Sequence, residues 1–160
     1  MSNQMLLAIA GLFLLSIVTL TFNRSVSGQQ TTMINNEAIL TATALAQGMI
    51  DEISTRAFDE KTRSAGVTSS DSLTTNGSLG PDTGESTVSQ FDDIDDFNNY
   101  TKTSNLFRLG NFDFAVKVYY VQNMYPDTKI YTRSFSKRID VAVYNSYLPD
   151  TLKLKTIISY

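Results

Sequence analysis

The densest run of ionisable side chains is Phe91 to Tyr100, FDDIDDFNNY, where Asp92, Asp93, Asp95 and Asp96 crowd four carboxylates together. Oxygen ligands of this kind suit calcium, which takes about six to eight of them. The spacing departs from an EF-hand loop, with Phe97 where a ligand belongs and no glycine at the turn. The run therefore reads as a solvated acidic turn that orients its own neighbouring backbone. Carboxylate pairs also serve glycoside hydrolysis, but adjacent aspartates do not set the separation needed across a scissile bond. Cys and His are both absent. That excludes thiolate nucleophiles, disulfides and the usual zinc sites, and removes the side chain best suited to proton transfer at neutral pH. No catalytic residue, metal or other cofactor is expected, and the chain reads as a non-enzyme. Tyr119, Tyr120, Tyr125, Tyr131, Tyr144, Tyr147 and Tyr160 read as sheet residues, for which tyrosine has a high preference.

The chain has 160 residues, with 13 basic against 16 acidic side chains and a net charge of −3. This suffices for one globular head and one extension, and leaves no broad basic surface for nucleic acid. The extension is apolar. Met5 to Phe22 reads MLLAIAGLFLLSIVTLTF without a charge, long enough to cross a bilayer as a helix of roughly 17 to 25 residues. Its apolar residues lie all round the helix, so full burial in lipid or protein is required. The residues expected to mediate that burial are Met5, Leu6, Leu7, Ile9, Leu12, Phe13, Leu14, Leu15, Ile17, Val18, Leu20 and Phe22. A cleavable secretory signal is the alternative, with Ser25-Val26-Ser27 at the cleavage position. No Lys or Arg precedes the apolar run, however, and the run is longer than a usual signal core.

All three prolines lie in the second half of the chain. One helix is therefore expected from near the start to about Arg56, roughly 80 Å long, with residues 1–30 as its membrane or filament-core half. Ser25 to Gln30 is its weak point, because Gly28 and two serines lower helix propensity. In residues 31–57, Ile34, Ala38, Ala42, Leu45, Met49 and Ile53 form an apolar stripe. Residues 65–90, rich in Ser, Thr, Gly, Asp and Asn, read as a long surface loop, and Asn76-Gly77-Ser78 matches the N-glycosylation pattern. Residues 111–160 turn to a period of two. Phe112, Phe114, Val116, Val118 and Tyr120 alternate in a first strand, a turn is expected at Tyr125-Pro126-Asp127, and strands follow at 129–135, 138–144 and 152–159. Short connections make the neighbours antiparallel, and the amphipathic helix half covers the apolar face. The fold class is α+β, with a globular head over residues 31–160.

Ala44 to Glu60 (ALAQGMIDEISTRAFDE), Phe91 to Tyr100 and Lys137 to Tyr144 (KRIDVAVY) are similar to stretches of type IV pilins and type II secretion pseudopilins. The chain most resembles minor pilins of the mannose-sensitive haemagglutinin type. The resemblance implies a helical homo-oligomer built through the apolar segment, with other pilin-like subunits as further partners. It also implies residence in the bacterial inner membrane before assembly and an extracellular filament after it. The family commonly carries Glu at the fifth mature position to neutralise a neighbour's terminal amine, whereas position 5 here is Met5 and the first acidic residue is Glu37. If Met1 is the mature terminus, assembly proceeds without that carboxylate. A monomeric, single-pass anchored protein whose head binds a partner is the alternative function.

Overall fold

The structure, a computed structural model, describes residues 2–160. Met1, the candidate mature terminus, lies outside the described residues. The fold is α+β: a long N-terminal helix, buried on one face only from Ala38 onward, and a small antiparallel five-stranded sheet. Helix α1 spans Asn3–Ser54, and a short α2 spans Glu60–Ser64. Single 3-10 turns follow at Ser70–Ser72, Asn76–Ser78 and Asp95–Phe97. The strands are β1 (Thr101–Leu106), β2 (Gly110–Gln122), β3 (Tyr125–Lys129), β4 (Ser136–Tyr144) and β5 (Leu152–Ser159). By internal contacts the chain divides into two compact units, Met1–Glu37 and Ala38–Tyr160.

In the first unit the helix does not break at Ser25 to Gln30. One glycine costs about 1 kcal/mol of helix propensity, less than the cooperative gain from established turns on both sides. The hydroxyls in the apolar stretch are satisfied within the helix. Ser16 donates to the Leu12 carbonyl at 2.9 Å, Thr19 to Leu15 at 2.8 Å and Thr21 to Ile17 at 2.8 Å.

In the second unit the strands run β1-β2-β4-β5, and β3 folds back on the far end of β2 past a bulge between Val121 and Gln122. Register pairs Phe114 with Val143, Val116 with Val141, Val118 with Ile139, and Tyr120 with Lys137. One face therefore carries Phe112, Phe114, Val116 and Val118 beside Ile139, Val141 and Val143, all buried. Ala38, Ala42, Ala46, Met49, Ile50 and Ile53 are the buried helical residues. Three of these are alanines four residues apart, which gives the buried face little bulk at its N-terminal end. Of the expected stripe, Ala38, Ala42, Met49 and Ile53 are buried and Ile34 and Leu45 half-buried, and Ala46 and Ile50 join it.

Two strand expectations are corrected. The turn at Tyr125-Pro126-Asp127 is instead the start of β3, and the preceding Asn123 and Met124 make the reversal. Pro126 is tolerated because it lies on an edge strand, outside the paired positions. Of residues 129–135 only Lys129 is strand. Beyond it the chain is irregular, held by a hydrogen bond from Ser134 Oγ to Asn123 Oδ1 at 3.1 Å. β1 is an addition. It hydrogen-bonds to β2 through a hairpin whose return residue, Gly110, has φ +73°, a conformation that glycine adopts without Cβ strain.

Replacing Ile53, which is wholly buried, with alanine should cost about 2–5 kcal/mol of stability. Ile157→Ala, at an exposed position of β5, should stay within about 0.5 kcal/mol of the parent. Urea midpoints of the two variants in detergent check both; similar shifts would contradict the assigned core.

Candidate functional site

Each unit carries one arrangement with functional content. In the first, every expected burial residue lies on α1 with its side chain exposed. Leu7 is 72% exposed, Phe22 67% and Ile17, the least exposed of the set, 46%. A window of 18 residues reaches a mean hydropathy of 2.5 with none of it buried. This is a helix long and apolar enough to cross a membrane.

The second arrangement is a buried charge cluster assembled from five parts of the head. Lys137 lies in phase with Ile139, Val141 and Val143, so the pleat sends its ammonium into the core. There Nζ donates to the Phe58 carbonyl at 2.7 Å, to Asp59 Oδ2 at 3.0 Å and, in direct contact, to Asp95 Oδ1. It also sits 4.7 Å from the centroid of the Phe58 ring and 5.4 Å from that of Tyr120, positions where aromatic faces attract a cation.

Asp59 reaches this point because α1 ends in a tight turn, with Arg56 N–H donating to the Ile53 carbonyl at 3.0 Å, and α2 begins on Asp59 as its cap. Its carboxylate accepts from Lys61 N–H at 3.1 Å, Thr74 N–H at 3.0 Å, Thr74 Oγ1 at 3.2 Å and the Tyr120 hydroxyl at 3.3 Å. Burial alone would raise its pKa, but the Lys137 ammonium and the Thr74 and Lys61 amides hold it below the ordinary value. Tyr120 is pushed upward by burial and then by Asp59 and Asp95. It remains a donor, its one proton shared between Asp59 Oδ2 and the nearer Thr74 carbonyl at 2.8 Å.

The acidic run is divided among different tasks, and the expectation of a solvated turn is corrected, because Asp93, Asp95 and Asp96 are buried. Its backbone-orienting role holds. Asp93 Oδ1 accepts from Asp95 N–H at 2.7 Å and Asp96 N–H at 3.2 Å, while Asp96 Oδ2 accepts from Asp92 N–H at 2.9 Å and Asp93 N–H at 3.0 Å. Ala57 and Asp93 form a parallel bridge, with Ile94 N–H on the Ala57 carbonyl at 2.9 Å, which ties the turn to the end of α1.

The four aspartates do not converge on a point where calcium would sit. Asp95 turns to Lys137. Asp92 turns outward to Arg63 at 2.5 Å, and Asp92 and Asp96 instead approach Glu85, with one oxygen of each within 4.8 Å of the others. The guanidinium of Arg63 already supplies Asp92 with a cation. Glu85 is pushed up to about 7, by burial first and then by the neighbouring Asp96 and Asp92 carboxylates against the pull of the Asp82 amide.

Residues 65–90 are less detached than a free surface loop. Leu73 and Leu79 are buried, Thr74 binds Asp59, and Arg56 Nη2 reaches the Val88 carbonyl at 3.3 Å. The signal for Lys137 was present in the alternation of KRIDVAVY, which places a lysine on the apolar face. Asp59 and Tyr120 gave no comparable signal.

Asp93 is pushed up to about 8, by burial first and then by Asp95 and Asp96, with Lys137 opposing, against about 3.9 when unfolded. Between those values the folded state binds a proton that the unfolded state lacks, so stability falls as pH rises through this window. Glu85 acts in the same direction, and Asp59 in the opposite one, losing its contribution as pH drops below about 4. Thermal unfolding in detergent should therefore give a lower midpoint at pH 9 than at pH 5, and Asp93→Asn should flatten the difference. A midpoint that rises over that range would contradict the buried proton.

No family model, curated protein or solved structure matches this chain, so what it does must be read from its own residues.

Proposed function

We propose that this chain is a structural subunit of a type IV pilus-like or pseudopilus filament, held in the bacterial inner membrane and then assembled through its apolar helical segment into an extracellular fibre. The observation that carries the reading is the uncovered run from Met5 to Phe22, apolar all round and unburied. Burying one such side chain is worth roughly 1.5–3 kcal/mol, so the set together exceeds the 5–15 kcal/mol or so that holds a typical domain. Water is therefore excluded as the resting environment of this segment. Lipid can supply the cover while the chain is stored, and equivalent segments of sister copies can supply it in a fibre. The exchange swaps one apolar environment for another, so its net cost is small and assembly from a membrane pool is feasible. Repetition of a head-to-tail contact that does not close gives a filament. The head contributes the outer surface, including the polar residues 65–90.

The absence of any acidic side chain before Glu37 favours a second reading, a single-pass anchor carrying a binding head. It leaves no carboxylate in the segment to pair with a neighbour's amine. Electron microscopy of material sheared from cells separates the two, since only the first yields uniform fibres containing this chain.

Leu14→Asp and Leu15→Asp should each abolish the fibres, while the urea midpoint of the head stays within about 0.5 kcal/mol of the parent. Normal fibres from either variant would remove the assembly role.

A further inference from the structure

We propose that the head staples itself covalently, through an isopeptide bond between Nζ of Lys137 and the side-chain carboxyl carbon of Asp95. The two groups are in direct contact, and both are closed off from solvent, Lys137 wholly and Asp95 to within 3%. An amine and a carboxylate in water stay apart as ions, because hydration favours the charges and mass action favours hydrolysis. Neither factor operates in a dry site. Held reactants reach effective concentrations of about 10⁵–10⁸ M, and the rings of Phe58 and Tyr120 wall the pair from water.

A simple buried ion pair needs one acid for its base. Here one amine faces Asp59 and Asp95 directly, and Asp93 stands behind Asp95 with a hydrogen bond between their side chains. The surplus supplies what condensation requires. Asp59, held ionised by Lys137 itself and by the Thr74 and Lys61 amides and lying 3.0 Å from Nζ, accepts a proton from the Lys137 ammonium. The freed lone pair attacks the Asp95 carboxyl carbon. Protonated Asp93 and the nitrogen each give one proton to the departing Asp95 oxygen, which leaves as water. One C–O bond breaks and one C–N bond forms. Asp59 ends protonated and Asp93 ionised, proton exchange then returns each to its starting state, and no oxidant, reductant or activated donor is consumed.

The consequence is mechanical. Lys137 and Asp95 lie 42 residues apart, on β4 and on the acidic turn bridged to Ala57 just after α1. The bond would lock these together in a chain that has no cysteine for a disulfide. It would form in a monomer or a filament alike, so its failure would leave the filament reading intact.

The test is a tryptic digest of the denatured full-length chain, purified in detergent and read by mass spectrometry. Acylated Lys137 resists trypsin, so the expected product is Ser64–Lys102 joined to Ser134–Arg138, at the sum of the two peptides less one water. Asp59→Asn keeps an acceptor for the Thr74 amide but removes the base, and should slow formation of the branched product about 100-fold. Two results would overturn the proposal: quantitative recovery of free Ser134–Lys137 from folded parent protein, or a branch joined to Asp59 in place of Asp95.

Discussion

An ammonium sealed from water has to be answered by the fold itself, and the way Lys137 is answered dictates the arrangement of the head. Its three oxygen partners come from Phe58 and Asp59 after the long helix and from Asp95 in the acidic turn. Asp59 in turn fixes Thr74 of the polar segment and Tyr120 of β2. The end of the helix, the acidic turn, the polar segment at Thr74 and β2 thus meet at one charge. Taking away Lys137 would leave Asp59 and Asp95 buried without their cation, and breaking a buried pair in this way generally costs about 3–5 kcal/mol. That penalty makes the cluster a specificity device as much as a source of stability: a helix end, turn or polar segment placed elsewhere would strand a charge.

The N-terminal segment presents the opposite problem. Its side chains want burial and carry no charge that water could solvate, and the hydroxyls among them are already satisfied by carbonyls one turn back. Nothing polar therefore remains on this stretch to oppose entry into lipid or into a bundle of like helices. The fold separates the two solutions in sequence, an apolar surface to be covered from outside and a polar cluster sealed from within.

How much of this was legible varies with the strength of the local pattern. The helix, the even-numbered face of β2, and β4 and β5 followed from periodicity, which in β2 separates buried Phe112, Phe114, Val116 and Val118 from exposed Asp113, Ala115 and Lys117. β1 was not legible. TKTSNL is exposed on both faces, so no apolar alternation marks it, and it exists only because β2 offers it a ladder. The acidic run shows the limit more sharply: four aspartates read as solvated by composition, yet three are buried, and the cation that answers Asp95 is a lysine 42 residues later in the chain. Such long-range compensation leaves no trace in a local window. The apolar segment, by contrast, was legible in full, because its requirement for cover is a property of composition alone.

That requirement is tested most directly by sedimentation velocity of the purified full-length chain after detergent is removed in lipid-free buffer. The account predicts that monomer disappears into large, elongated assemblies. A single sharp boundary at monomer size, persisting on dilution, would show that the apolar segment needs no sister copies and would contradict it.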